Sequence, residues 1–594
     1  MAGIMTGVGL ACLAGSSVLA DLRYEAVIAG VEDSALADLL DEVSELKSLE
    51  DRLPASEQAL RRRAERDLEL LTDAAHSLGY WDARFSYQID SGTDPAKVTV
   101  TADPGPLYRV TSVEVLGPHG QPLAVPRDPD APPLKPGDPA QTEPVVATET
   151  ALLAALGHAG YPFARKADRL VVIDHDTRTM AVTYTLDPGP RMRFGPATIS
   201  GLDRLDPGYV ERRFQWRAGA VYDNREVDET RRLLIESGLF STVRIEPVRD
   251  PADPDHVLMR VEAIERAHRT IGVGLAYNTS EGAGARVFWE NRNLFGSAEY
   301  LRLSLEAGQQ RLGARANFRR PDFLATDQDL VATAVIAEET PVAYESRHAR
   351  LSVGIERRFR PGLTLGAGVS IEKANVEQEA TLGPTPAAER TQRYSLIGLP
   401  LSVKLDRSDD LLNPTRGYRS QISLVPYQSF AGSDLTFVSG RISASTYQRL
   451  GDSDRYVVAA FAALSSIQGA SLAILPADKR IYAGGGGSVR AYGYQMAGPL
   501  DANDNPIGGR SSLELSLEAR IKITETIGIV PFFDAGSFYR STLPQLGKQI
   551  FYGPGLGLRY FTPFGPLRLD VATPLRRRSA DPLVQVYISL GQAF

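Results

Sequence analysis

Hydrophobic and polar positions along this chain change their period once. Up to about residue 264, short strand-like runs flank segments whose apolar residues recur at helical spacing; beyond it, apolar and polar residues alternate one for one. In LELSLEARIKI, Leu513, Leu515, Leu517, Ala519, Ile521 and Ile523 share a face opposite Glu514, Ser516, Glu518, Arg520 and Lys522. YLRLSLEAG, LPLSVKLD, GPLRLDVATPL and VQVYISLGQAF keep the same rhythm. Sixteen such segments run from Arg269 to Phe594. About 20 residues per strand and connection leave room for membrane-crossing strands of about 9–11 residues.

A soluble sandwich does not need long strands with an aliphatic face against a charged one. A closed membrane barrel does, because lipid lies outside, a polar lumen lies inside, and no backbone group is left unpaired. The pattern therefore predicts an antiparallel transmembrane barrel over 265–594.

The first part of the chain repeats. VTVTADPGPLYRVTSVEVLG and AVTYTLDPGPRMRFGPATISG each read as strand, Asp-Pro-Gly-Pro turn and strand, with the turns at Asp103 and Asp187, 84 residues apart. Three helical segments run into Gly79, Gly160 and Gly238, each followed closely by an aromatic: Tyr80, Tyr161 and Phe240. Glycine just past a helix takes the left-handed conformation cheaply. The spacing predicts three α+β units of roughly β-α-α-β-β order, over 21–104, 105–188 and 189–264. Such units read either as generic α+β domains without activity or as modules that bind extended chains by adding a strand to a sheet edge.

Composition changes the picture at three points. The 594 residues exceed one compact core, and 43% hydrophobic with 23% charged residues is ordinary for a folded protein. A net charge of -8 with dispersed arginines gives no pull toward nucleic acid. The single cysteine, Cys12, lies in the uncharged opening segment MAGIMTGVGLACLAGSSVLA, which ends Val18-Leu19-Ala20 and reads as a signal peptide over 1–20, without the usual basic start. A chain left without cysteine suits an oxidising periplasm.

No catalytic or metal-ligand constellation emerges, so an enzyme and a bound cofactor are not expected. The glycines of GVGLAYNTSEGAGAR and GLGLR open no helix after a buried strand, as a dinucleotide loop requires. GGGGSVRAYGYQMAGP, from Gly484 to Pro499, falls between the eleventh and twelfth barrel segments, so no helix follows to bind an anion there either. Its glycines read as slack for a loop over 480–507.

Several motifs together resemble the outer-membrane β-barrel assembly superfamily of the BamA/TamA type, whose repeats are polypeptide-transport-associated (POTRA) domains. SVRAYGY is similar to the family's VRGY motif in the sixth extracellular loop, at Val489, Arg490, Ala491 and Tyr492, with Ala491 in place of glycine. PFFDAGSFY resembles its Phe-x-Asp-x-Gly strand, placing the aspartate at Asp534. GPGLGLRY with TPFGPLRLDVATP resembles its penultimate strands, and LDRSDDLLNPTRGYR a mid-barrel strand-turn-strand. Leu590, Gly591 and Phe594 resemble a C-terminal β-signal. Three repeats rather than five and the terminal LGQAF are most similar to the TamA branch, the outer-membrane subunit of the translocation and assembly module.

The resemblance implies a lid loop whose Arg490 folds into the lumen and pairs with Glu518 and Asp534. Strand parity agrees for both, since Leu517, Ala519 and Phe533 fall on the opposite face. It also implies a bacterial outer-membrane location with POTRA domains in the periplasm. The function implied is an insertase or translocation factor that assembles autotransporters and other barrels at a weak seam between the first strand, near Arg269–Asn278, and the last, Val584–Phe594. Implied partners are a TamB-like subunit anchored in the inner membrane, client outer-membrane proteins and membrane lipid. A two-partner-secretion pore is the alternative, but such pores typically carry two repeats. A passive porin or receptor leaves the repeats unexplained.

Overall fold

The computed structural model describes residues 22–126, 134–380, 391–432, 434–451, 453–547, 549–562 and 565–594; the segment read as a signal peptide lies outside them. In the first repeat β1 (Tyr24–Ala29) precedes helices α1 (Ser34–Val43), α2 (Glu45–Ser48) and α3 (Glu57–Ser77), then β2 (Arg84–Asp90) and β3 (Ala96–Asp103). The second holds β4 (Arg109–Leu116), α4 (Thr142–His158), β5 (Arg165–Asp174) and β6 (Thr179–Asp187). The third holds β7 (Arg193–Ser200), α5 (Pro207–Glu211), α6 (Asn224–Glu236), β8 (Phe240–Asp250) and β9 (Asp253–Glu265).

Each repeat forms a three-stranded sheet of one order, β1-β3-β2, β4-β6-β5 and β7-β9-β8, with the first strand parallel to the last. A parallel pair needs a crossover, and the helices supply it. In the first sheet, Val98 and Val100 pack beneath Leu36, Leu40, Leu60 and Leu71, all fully buried. Helix starts are set by side-chain caps: Asp33 accepts from Ala35 N and Leu36 N, and Ser56 accepts from Ala59 N. The helix-ending glycines, Gly79, Gly160 and Gly238, all take positive φ.

The expected two-helix order is only approximate. Ser44 caps an additional short turn, α2, in the first repeat. In the second, the described residues contain one helix, α4.

The second half closes into a barrel. Its strands are β10 (Arg269–Asn278), β11 (Gly282–Asn291), β12 (Tyr300–Gly308), β13 (Arg311–Arg320), β14 (Gln328–Glu339) and β15 (Tyr344–Arg360). Then come β16 (Leu363–Gln378), β17 (Thr391–Gly398), β18 (Leu401–Asp406), β19 (Gly417–Gly432), β20 (Thr436–Arg449) and β21 (Tyr456–Gln468). The last are β22 (Ser511–Lys522), β23 (Ile527–Tyr539), β24 (Phe551–Thr562), β25 (Gly565–Ala572) and β26 (Gln585–Leu590). β17 and β18 are two halves of one strand, both paired to β16 and β19 and separated at Leu399-Pro400. Proline lacks the N–H that the ladder needs, so the strand breaks there. Counted this way, sixteen antiparallel strands close the ring.

The two faces follow the sequence alternation. On β22, Leu515 and Leu517 point outward and are exposed, whereas Glu514, Glu518 and Arg520 are buried inside. Leu556, Leu558, Leu567, Leu569 and Ile588 continue the exposed aliphatic belt. An apolar surface of that extent belongs in a bilayer.

Closure is uneven. β10 and β26 share only the register pairs Tyr277↔Ile588 and Asn278↔Tyr587, whereas β15 and β16 pair nearly end to end. Just beyond the pairs, Thr279 N donates to Val586 O at 3.1 Å and Thr279 Oγ1 donates to Gln585 Oε1 at 2.6 Å. The expected last strand also ends early. At Gly591, φ is +90°, and the chain leaves the ladder.

Candidate functional site, a lid loop tethered in the lumen

Between β21 and β22 the chain dips into the barrel. All four residues of the Val489-Arg490-Ala491-Tyr492 motif are buried. Arg490 is the best held of them. Its backbone N and Nε donate to Asp534 Oδ2 at 3.0 and 2.7 Å, and its Nη2 donates to Oδ1 at 2.9 Å. Its Nη1 donates to Glu518 Oε1 and to Asp570 Oδ2, both at 2.8 Å. The guanidinium carbon sits 3.4 Å from the Phe532 ring centroid. A planar fork with five donors suits three acceptors and an aromatic face at once.

The structure therefore brings together Arg490, Glu518 and Asp534, and it adds Asp570 from β25. Asp570 lies in the LRLDVA stretch, where it shares the inward parity of Arg568, between outward Leu569 and Val571. That parity was the available signal for it. The cluster continues outward: Arg559 Nη1 donates to Asp570 Oδ1 at 2.6 Å, and Arg520 Nε donates to Glu518 Oε2 at 3.0 Å. Each carboxylate of the cluster is engaged by a guanidinium, so the arrangement is a clamp rather than an acid–base pair.

The other motif residues fit shaped hollows in the wall. A Cβ on Gly536 would come within 2.9 Å of Val489 Cγ2, and one on Gly553 within 2.4 Å of Ala491 Cβ. Tyr492 meets Phe551 edge to face at 5.1 Å and donates its hydroxyl to Arg576 O at 3.1 Å. The Phe-x-Asp-x-Gly motif thus has a physical reading at every fixed position. Phe532 stacks on the guanidinium, Asp534 binds it, and Gly536 leaves space for Val489. Ala491 needs no left-handed backbone, since the positive φ of this segment falls at Gly484, Gly485 and Gln495.

The glycines correct the expectation of slack. Gly484 and Gly485 are buried with positive φ, and a Cβ on Gly484 would lie 2.5 Å from Gly493 O. Gly485 N donates to Tyr492 O at 2.9 Å, closing the tip on itself. They form a tight turn, because close backbone approach leaves no room for side chains.

A second tether went unread in the sequence. Just ahead of the glycines, Lys479 Nζ donates to Glu372 Oε1 of β16 at 2.6 Å, and the Tyr394 hydroxyl of β17 donates to Asp478. Arg480, also buried, donates from Nη1 to Ile507 O at 3.0 Å, tying the two arms of the loop. The lid is thus fixed at β16–β17 and again at β22, β23 and β25. The alternation around Glu372 marked it as inward, but no spacing linked it to a lysine 107 residues on.

Of the proposed C-terminal signal, Leu590 faces outward opposite Leu567, and Gly591 makes the turn. Phe594 folds inward, its ring 5.4 Å from that of Phe461, and its carbonyl accepts from Arg520 Nη2 at 3.1 Å. Gln592 joins Arg559 to Asn413, accepting from the first at 2.9 Å and donating to the second at 2.9 Å.

The Omp85 superfamily domain matches residues 293–594. The chain is 21% identical over 600 residues to the outer membrane protein assembly factor BamA of Neisseria meningitidis, spanning 91% of this chain and 74% of that one. To the BamA of Neorickettsia risticii it is 22% identical over 563 residues, spanning 90% and 73%. Among solved structures, the BamA of Haemophilus ducreyi lacking POTRA domains 1-3 has a TM-score of 0.66 at 18% identity, covering 81% of this chain and 99% of that one, a likeness of fold. The three N-terminal units resemble POTRA modules, and the protein is an outer-membrane barrel with those modules in the periplasm. The match runs across the wall that clasps Arg490, and it shows that this chain belongs to the Omp85 superfamily.

Proposed function

We propose that this protein is a non-catalytic insertase and translocation factor of the outer membrane. It assembles autotransporters and other β-barrel proteins at the seam between β10 and β26. The single observation that carries the reading is the two-pair seam in a barrel whose other neighbouring strands share six register pairs or more, with β17 and β18 counted as one. An unpaired edge of β10, with Ile271, Val273 and Leu275 facing outward, is a template onto which a client strand adds by backbone hydrogen bonding. Lipid burial of the client's apolar face supplies the driving force, so no nucleotide is required. The relatives' name, outer membrane protein assembly factor, supports the coarse activity. Three modules, which we bound at 21–104, 105–188 and 189–264, and the terminal LGQAF favour the TamA branch, with a TamB-like partner on the modules. The lid, which we bound at 480–507 with Arg490, Glu518 and Asp534 as lumen anchors, closes the extracellular end. Leu590, Gly591 and Phe594 serve as the protein's own β-signal.

The test is a reversible lock. Tyr277 and Ile588 are register partners, so Tyr277→Cys with Ile588→Cys places two thiols across the seam. Reconstituted in liposomes and oxidised, this variant should insert no client barrel, and reductant should restore insertion. Unchanged insertion in the oxidised state would refute the seam as the working site.

A further inference from the structure

The outer face of β11–β17 is not a uniform aliphatic belt. It holds a groove of about 1430 Å³ whose walls include Val287, Leu305, Leu312 and Ile336. The groove runs into a second one of about 550 Å³, sharing Val287, Leu305 and Ile336 and reaching Ile271 and Trp289. Most of their lining residues have outward parity, and Val287, Leu305, Leu312 and Ile336 are exposed there, so both grooves open to lipid.

One end of the larger groove is basic. Arg347, Asn375 and Arg393 form a row across β15, β16 and β17, and Lys373 lies on the same outward face one pair closer to the belt. The next outward pairs toward the belt are aliphatic: Leu351, Ile371 and Ile397. The cations therefore stand where the belt meets water. Lys373 and Arg393 are diagonal neighbours on adjacent strands, roughly 7–8 Å apart.

Arg347 is committed to Glu338 and Glu345, at 2.9 and 3.2 Å. Lys373 and Arg393 are exposed and, among the described residues, have no hydrogen-bond or ion-pair partner. Glu345 and Glu377 lie one pair further from the belt on the same face. Those carboxylates repel an anion arriving from water, but not one whose chains already lie in the bilayer.

This end of the barrel is extracellular. β10 follows the periplasmic modules directly, so the connections from β10 to β11, β12 to β13 and β14 to β15 all lie on the far side.

From the union of apolar groove and unneutralised cations we infer that the outer face of β11–β17 binds a phosphorylated lipid of the outer leaflet. Its phosphate is held by Lys373 and Arg393, and its acyl chains lie along Val287, Leu305 and Ile336. A cation merely extending to the interface would need no groove.

The test uses the full chain in phosphatidylcholine nanodiscs doped with bis-phosphorylated lipid A or with its dephosphorylated form. Retained lipid is counted by native mass spectrometry after graded delipidation. Wild-type protein should retain the phosphorylated form, and the double variant K373Q/R393Q should retain it roughly 25-fold less, about 5-fold per lost cation. Both proteins should hold the dephosphorylated form equally weakly. Leu305→Glu, which places charge in the groove, should lose both forms, with heat-modifiable electrophoretic mobility confirming that the barrel is folded. Equal retention by K373Q/R393Q, equal retention of the two lipids by wild type, or displacement of the lipid by millimolar inorganic phosphate would each overturn the inference.

Discussion

Arg490 of the lid and Asp570 of β25 meet at 2.8 Å across 80 residues of sequence, with both side chains out of reach of water. β25 is the strand that carries β26, so the lid is bonded to the support of the seam. Removing Arg490 would leave Glu518, Asp534 and Asp570 facing one another without that cation. Deleting one partner of a buried ionic cluster costs about 3–5 kcal/mol. Arg490→Ala is therefore expected to release the lid, read as protease cleavage between Gly484 and Pro499 in reconstituted protein. Arg490→Lys should release it partly, since a compact ammonium lacks the planar fork whose separate nitrogens reach Asp534, Glu518 and Asp570. A lid that stays protected in Arg490→Ala would show that the clamp does not hold it.

The hollow for Ala491 yields a second expectation. A methyl on Gly553 would meet both Ala491 Cβ at 2.4 Å and the Thr573 carbonyl oxygen at 2.3 Å. Gly553→Ala should destabilise the barrel by about 1–3 kcal/mol, as overpacking does. Ala491→Gly should not rescue it, because the clash with Thr573 is with backbone. Thermal unfolding of the single and double variants checks this, and full rescue would mean that the lid contact alone sets the cost.

How much of this was legible in the sequence depended on the range of the signal. Alternation is local, so the inward faces of Glu518 and Asp534 were readable from their neighbours Leu517, Ala519 and Phe533. Asp570 obeys the same parity, but parity does not single it out, because three carboxylates on one arginine depend on the curvature that brings β22, β23 and β25 to one point. The Lys479–Glu372 tether spans the lumen and has no sequence period. The glycines of the lid read as slack from composition, which does not show that Gly484 packs against the Gly493 carbonyl. Likewise, alternation continues through Leu590 into the tail, while the turn at Gly591 and the packing of Phe594 on Phe461 depend on a distant strand.

The second tether has its own signature. Lys479→Met leaves the buried Glu372 only Arg350, at 4.0 Å, and Glu372→Gln leaves Lys479 only Asp478, at 3.5 Å. The double variant removes both charges. Each single change should loosen the lid near β16 more than the double change does, since breaking a buried pair costs more than replacing it. The coupling between the two is expected at about 1–3 kcal/mol, read from protease protection around residues 477–480. Additive effects would show that the two groups act independently.

The joint between the first and second modules should respond to acid. Trp81 Nε1 donates to Ala140 O at 3.1 Å, Tyr108 N donates to Gly79 O at 3.0 Å, and His175 Nδ1 lies 3.0 Å from Asp82 Oδ1. Hydrogen bonding from the Tyr108 hydroxyl, and then from His175, holds the Asp82 carboxyl below the usual aspartate value of 3.8. A carboxyl lowered in the folded state binds its proton less readily there than in the unfolded chain. Its stabilisation is thus complete above the unfolded value and disappears as pH falls through the lowered one. Spin labels on the two modules should report one narrow distance at neutral pH and a broadened distribution below about pH 4, the aspartate range. Asp82→Asn should be broad at both, because an amide cannot be switched by protons and places a donor where His175 and Tyr108 meet the carboxylate. A wild-type distribution that stays narrow in acid would show that the aromatic and backbone contacts fix the joint without Asp82.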